Sequence, residues 1–337
     1  MSSQDISEED ISAVVSVLRS DTLTRGNIRD KFEFALAEYI DYTYAISVCN
    51  GSVALDIALA SLCLPYNARV GVCPLTFIAS INCIFHNNHI PVFIDCDSTG
   101  CINPDLIPDD IDALICIDFG GQSCDYDRIR FKIGDKPIIQ DGAHSFGIKK
   151  HPEVDIMTTS FHPLKIITTG EGGCIFTDNR LWAVRCIVFR NNGLNIMSGV
   201  TRIHGWNAHL NEISCALGLS QLRRLKQFLY IRKEKAEYWH KVLNIKYLDT
   251  VKWLDNSYHF IPVLFPNTEL RDKALKISPL LRHNYQLYKD AIIDCPKCAD
   301  ISSRVLSLPT HNKLDNETIN YIAKNIHELL RDTDKKK

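Results

Sequence analysis

The feature that most constrains this chain is an alternation between short β-rich runs and segments of helical spacing. From about residue 30, KFEFALAEYI has helical periodicity, YAISV reads as a strand, and SVALDIALASL is helical again. The rhythm continues through RVGVC, a helical stretch near 76 to 88, then PVFID, ALICID and KPIIQD, each bounded by Pro, Gly, Asp or Asn. DIMTTS and GCIFT flank a lysine-containing loop, and the glycines before GCIFT suit a turn back into the sheet. Strands alternating with helices imply an α/β fold, here a mainly parallel sheet of about seven strands with helices on both faces. Beyond residue 207 the texture changes. NEISCALGLSQLRRLKQFLYIRKEKAEYWHKVL reads as one long helix linking two units, followed by a strand in YHFIPVLF and helices near 268 to 276 and 315 to 331. With 337 residues, against roughly 150 per domain, the reading is a large domain over 1–225 and a smaller α+β C-terminal domain over 226–337 that takes in part of the linking helix.

Composition removes several function classes. A net charge of −2 gives no global field favouring nucleic acid or an anionic membrane. The apolar stretch from Val70 to Phe85 is interrupted by Thr76, Ser80 and Asn82 and is too short to span a bilayer. The opening MSSQDISEED is unlike a secretory signal. Thirteen cysteines is an odd number, and most sit in apolar runs where Cys packs as a small hydrophobe, which fits a reducing cytoplasm. Cys295-Pro-Lys-Cys298 has a spacing that suits zinc or a redox pair, but without a second ligand pair the expectation is two reduced structural thiols and no metal. His86 and His89 are read as ordinary packing for the same reason.

Three constellations carry chemistry. Asn50-Gly51-Ser52 lies between a strand and a helix, where exposed amides and the helix dipole suit a phosphate; the bland reading is a plain N-cap. Neither GxGxxG nor the Walker pattern is present there. Asp141, in IIQDGAHSFG, falls at the carboxyl end of a buried strand, where ligands collect in open α/β sheets, with His144 beside it. Lys165, in SFHPLKIITTGEGG, sits between apolar Leu164 and Ile166, a setting that lowers an amine's pKa and makes it nucleophilic, unless it snorkels to water. Phe77 can stack on an aromatic ring, and Ser160 can donate to a phosphate. An anionic anchor for a ring nitrogen, a Schiff-base lysine, a phosphate cradle and an aromatic face are together what pyridoxal 5′-phosphate requires of a protein.

TRGNIRDKFEFALAEYI, NGSVAL, PLTFIAS, PVFIDCD, QDGAHSFG, SFHPLKIITTGEGG and GWNAHLNEISCALGLSQLRRL resemble, in order and spacing, the DegT-like nucleotide-sugar aminotransferases, a family of fold type I pyridoxal-phosphate enzymes with the aspartate-aminotransferase fold. The resemblance covers roughly residues 21 to 225 well and the remainder loosely. It implies that Lys165 is joined covalently to the cofactor and that Asp141 pairs with the pyridine nitrogen. It likewise implies Phe77 on the ring face, His144 near the 3-oxygen, and Gly51, Ser52 and Ser160 around the phosphate. Asn207 would reach the cofactor of a neighbouring subunit, making the active sites shared in a homodimer. Thr24, Gly26 and Tyr285 match segments bordering the sugar-nucleotide pocket, and LRHNYQLYKD and VLSLPTH resemble the substrate-side region. Two positions depart from the family pattern: His209 stands where an arginine is usual, and an RxHG element reads Arg190-Asn191-Asn192-Gly193.

The implied activity is a ping-pong transamination. Glutamate would load the cofactor as pyridoxamine 5′-phosphate, which then aminates a keto group of a nucleotide-linked deoxysugar, at C4 by family frequency. Two rivals share the fold: a pyridoxamine-phosphate-dependent sugar dehydratase, which usually carries histidine in place of the lysine, and a cysteine desulfurase-like lyase. A third is a regulatory protein that retains the fold without turnover.

Overall fold

The computed structural model describes residues 4–194, 204–243, 256–282, 287–288 and 291–334. Helices α1 (Glu8–Leu18) and α2 (Asn27–Ile40) precede β1 (Tyr44–Val48), α3 (Gly51–Ser61), β2 (Arg69–Val72), α4 (Ala79–His86), β3 (Ile90–Phe93) and β4 (Ala113–Ile117). Then come α5 (Tyr126–Ile133), β5 (Ile138–Asp141), β6 (Ile156–Ser160), β7 (Gly173–Thr177) and α6 (Arg180–Arg190). The rest of the described chain contains α7 (Glu212–Arg223), α8 (Leu225–Val242), β8 (Phe260–Leu264), α9 (Thr268–Leu275), α10 (Ala291–Asp294), α11 (Pro296–Arg304), β9 (Val305–Pro309) and α12 (Asn316–Asp334).

Seven strands form the main sheet in the order β1-β7-β6-β5-β4-β2-β3. The expected α/β architecture is present, and β7 is its one reversed member: it runs antiparallel to both β1 and β6 while the other pairs are parallel. Parallel strands covered on both faces need apolar residues at every position, not alternation. In β4, ALICI is buried throughout, and so is GCIFT in β7. The second sheet pairs β8 with β9 antiparallel, Phe260 opposite Pro309 and Leu264 opposite Val305.

The long helix read from residues after 207 is two helices. Arg224 (φ −98°, ψ 0°) interrupts it, with its amide bonded back to Gln221. No Pro or Gly marks the break; tertiary contacts hold it. The Arg224 guanidinium reaches Asp5 at 3.0 Å and buried Asp10 at 2.5 Å, and lies 4.8 Å from the centre of the Phe228 ring. Asp10 is itself fixed by a reciprocal cap, Ser7 and Asp10 bonding each other's amides at the start of α1. Helix α8 passes from one core to another: Phe228 packs with the main sheet, while Trp239 packs with Val263, Leu308 and Ile322 beneath the small sheet. Each such fully buried aromatic contributes about 1.5–3 kcal/mol relative to exposure. Among the described residues no helix is long and apolar enough to cross a membrane.

Candidate active site

A cavity of about 1000 Å³ lies where the carboxyl ends of the central strands face the small sheet. Asp141 closes β5, in register with Ile117 of β4 and Thr158 of β6, so the ladder fixes its backbone. Its carboxylate is fixed too. One oxygen accepts a 2.7 Å bond from Ser80 Oγ, and the other accepts from the Ala143 amide at 3.1 Å. Ser80 stands in the first turn of α4 with its hydroxyl 2.9 Å from Thr76 Oγ1, so two segments hold this carboxylate in place.

Lys165 sits in the loop joining antiparallel β6 and β7, whose mouth is the pair Ser160 and Gly173. The loop braces itself: Phe161 N donates to Gly172 O at 2.8 Å, Thr168 Oγ1 to Phe161 O at 3.0 Å, and Lys165 N to His162 O at 2.8 Å. Ile166 and Ile167 are buried directly after it, anchoring the turn. Burial lowers the Lys165 pKa from 10.5 to about 8, with the Asp141 charge opposing the shift. The side chain retains some accessible surface, but it opens onto the cavity, so the surrounding protein governs its charge.

His144 follows Asp141 in a loop held from below by Asp118. That buried carboxylate accepts from Tyr126 OH at 2.7 Å, Ser145 Oγ at 2.5 Å, the Cys124 amide at 3.1 Å and the Gln140 side chain, and burial pushes its pKa up. The His144 ring stacks on His259 with centroids 4.6 Å apart and planes at 16°. Burial, then the Lys165 charge, holds His144 well below the usual imidazole range, so it is neutral. Burial also depresses His259, with His144 next among the causes.

The plain N-cap reading of the 50–52 segment holds: Asn50 Oδ1 accepts from the Val53 amide at 2.9 Å. The ligand reading is compatible with it, because Gly51 and Ser52 line the cavity and first-turn amides have no acceptor within their own helix. Gly51 is required by packing. A Cβ there would lie 2.6 Å from Ser160 Cβ, so the start of α3 rests directly on the end of β6. Phe77, 66% exposed, lines the same cavity from the loop before α4. The cavity therefore gathers Gly51, Ser52, Phe77, Asp141, His144, Ser160 and Lys165.

Other expected residues lie elsewhere. Thr24 is exposed and Gly26 caps α2, where a Cβ would lie 2.6 Å from Glu212 Oε2; neither lines this cavity. That glutamate accepts from the Ile28 and Arg29 amides at 2.8 and 3.2 Å, a helix-capping duty that explains the tight packing at Gly26. Asn207 is exposed, in an isolated bridge with Asn191 and away from its own chain's cavity. Beside it, His209 Nε2 lies 2.9 Å from Asn191 Oδ1, and Arg190 is buried against Glu33 and the Ser47 carbonyl. Tyr285 lies outside the described residues. His86, read as packing, pairs with Asp56 at 2.9 Å.

The sequence reading misses Ser80, Arg232, His259, Arg282 and His311, all of which line the cavity or fix a residue that does. Arg232 projects from α8 and donates to His259 O and Thr310 Oγ1, both at 3.2 Å; burial lowers its pKa to about 10. Arg282 and His311 belong to the segments LRHNYQLYKD and VLSLPTH, so their neighbourhood had a signal but the individual residues had none.

The DegT/DnrJ/EryC1/StrS aminotransferase family model matches residues 4–327. GDP-perosamine synthase of Escherichia coli O157:H7 is 30% identical, over 92% of each chain. A Campylobacter jejuni UDP-4-amino-4,6-dideoxy-N-acetyl-beta-L-altrosamine transaminase is 28% identical, over 98% of this chain and 96% of its own. Among solved structures, Helicobacter pylori PseC, an aminotransferase involved in the biosynthesis of pseudoaminic acid, shares the fold with a TM-score of 0.89 at 24% identity over 98% of each chain. The match along nearly the whole sequence, together with the lysine and carboxylate facing one cavity, gives the conclusion: the chain belongs to the DegT/DnrJ/EryC1/StrS aminotransferase family.

Proposed function

We propose that the cavity binds pyridoxal 5′-phosphate and that the chain moves an amino group from glutamate to C4 of a nucleotide-linked 4-keto-6-deoxy sugar. The observation that carries this reading is Lys165, a lysine whose pKa falls to about 8 across a cavity from a buried, hydroxyl-fixed carboxylate. The donor set fits the cofactor. Gly51, Ser52 and Ser160 offer amides and hydroxyls to its phosphate, Asp141 offers an anion to its ring nitrogen, and the buried His144 Nδ1 has no hydrogen-bond partner among the described residues. Bound there, the cofactor would supply an electron sink for a carbanion.

The chain's own residues do the rest. Lys165 Nζ would anchor the cofactor and, once free, would serve as a general acid–base at short range. Asp141 would keep a proton on the ring nitrogen, Phe77 would offer its aromatic face to the ring, and neutral His144 would donate to or accept from a cofactor oxygen. About 1000 Å³ is at the upper end for ligand pockets, which leaves room for a sugar beside the cofactor. Arg232 and Arg282 line the far wall, where a diphosphate needs cations. The Campylobacter relative, named for a 4-amino-4,6-dideoxy sugar, favours C4. Asn207, outside its own cavity, is assigned to the cofactor of a second copy, which makes the active enzyme a homodimer.

The test is incubation of the purified protein with glutamate and a panel of GDP- and UDP-linked keto sugars, with the product identified by mass and NMR. Borohydride should trap the cofactor on the peptide containing Lys165. Lys165→Ala should abolish turnover while leaving some non-covalent cofactor binding; normal turnover by that variant would remove the assignment.

A further inference from the structure

Outside the cavity, three segments distant in sequence bring four thiols together. Cys73 follows β2 directly, Cys96 follows β3, and Cys295 and Cys298 open α11; all four are free and buried. Cys73 Sγ lies 3.6 Å from Cys298 Sγ. The ligand atoms of Asp95, Cys96 and Cys298 all lie within 4.8 Å of one another.

The spacing has chemical content. Two sulfurs on one tetrahedral zinc, each at about 2.3 Å from the ion, stand about 3.8 Å apart. A disulfide would need about 2.05 Å. The carboxylate is already oriented: Asp95 Oδ1 accepts from the Cys96 and Cys298 amides at 2.9 and 2.8 Å, and Oδ2 from the Lys297 amide at 2.9 Å. Other buried thiols in the chain have a different fate. Cys83, Cys101 and Cys124 donate to the carbonyls of Ser80, Gln122 and Ile117 at 3.3, 3.8 and 3.2 Å, whereas Cys73 and Cys298 turn to each other. Among the described residues this is the one group of three or more potential ligands so arranged.

We propose that the Asp95 carboxylate and the Cys96 and Cys298 thiols hold a thiophilic divalent cation, zinc foremost, with Cys73, beside Cys298, turning in as the fourth ligand. Binding releases the three thiol protons to solvent and involves no change of oxidation state. Cys298 is the third residue of α11, where the positive end of the helix offsets part of the ligand charge. The ion would staple α11, and through it β9, to the edge of the main sheet formed by β2 and β3. The small-sheet wall of the cavity would thereby be fixed to the other wall. The inference is independent of the proposed chemistry, since its ligands lie outside the cavity.

The experiment uses the full chain with its cofactor. After dialysis against chelator and addition of one equivalent of zinc, elemental analysis should find about one zinc per chain. Exchange with Co²⁺ should give a near-ultraviolet thiolate-to-cobalt charge-transfer band and the visible bands of a tetrahedral ion. Wild-type protein alone provides this readout, so it does not depend on a variant folding. Cys96→Ser and Cys298→Ser should lose the band, Asp95→Asn should weaken binding by about tenfold or more, and Cys63→Ser, at an exposed thiol, should leave it unchanged. A folded, cofactor-bound chain that takes up no zinc or gives no thiolate band overturns the proposal. A Cys73–Cys298 disulfide in unreduced protein that blocks zinc uptake overturns it in favour of a redox pair. Loss of the band in Cys295→Ser with retention in Asp95→Asn overturns the ligand set.

Discussion

The two walls of the cavity are built differently. On the sheet side the carboxylates and the helix cap have partners, with His144 Nδ1 the exception that lines the cavity: Asp141 is held by Ser80 and Ala143, Asp118 by four donors, and Asn50 Oδ1 by the Val53 amide. On the small-sheet side, Arg232 Nε, His259 Nδ1, Ser307 Oγ and both ring nitrogens of His311 are buried without a hydrogen-bond partner among the described residues. Unpaired buried polar atoms are uncommon in native proteins and call for an explanation. On the proposed function, the contrast is a division of labour in which the sheet positions the reacting groups in advance, while the opposite wall keeps its polar groups for a ligand.

That division can be broken by experiment. Asp141→Asn, on the sheet side, should lower kcat by about 10²-fold or more, the scale of losing one preorganised charge, with little change in sugar KM. Arg282→Ala, on the other wall, should do the reverse: KM for the nucleotide sugar rises roughly ten- to a hundredfold, the worth of a hydrogen bond to a charged group, and kcat holds. If both variants changed the same parameter, the two walls would not be distinct. Ser80→Ala removes one of two bonds to the Asp141 carboxylate and should cost about tenfold in kcat, with cofactor still bound.

The smallest effect is a shift in pH. Covalent capture of an aldehyde needs the neutral amine, and lowering the Lys165 pKa from 10.5 to about 8 raises the neutral fraction at pH 7 by ~300-fold. The capture rate, followed by absorbance, should therefore rise with pH and reach half its plateau near pH 8. Because the Asp141 charge raises that pKa, the half-point should move to lower pH in Asp141→Asn.

The strands were legible because each is a short run rich in apolar residues and bounded by turn formers, Asp141 because it closes one of them, and Lys165 because it is a charge between apolar neighbours. The reversed direction of β7 is not encoded in GCIFT itself; the glycines before it gave the only hint. The break at Arg224 had no local breaker, since it depends on Asp5 and Asp10 about two hundred residues away. The start of α1 did carry a signal, Ser7 three residues before Asp10, which the sequence reading passed over. Ser80 and His259 could not be found from the chain alone: one meets its partner 61 residues along, and the other is a half-buried histidine, stacked on His144, with no motif around it.

The antiparallel pairing of β6 with β7 has a mechanical consequence. The segment bearing Lys165 leaves and re-enters the sheet through adjacent strands, so both its ends are moored to paired, buried strands. On the proposed reading, the amine therefore keeps its place while ligands enter and leave the cavity.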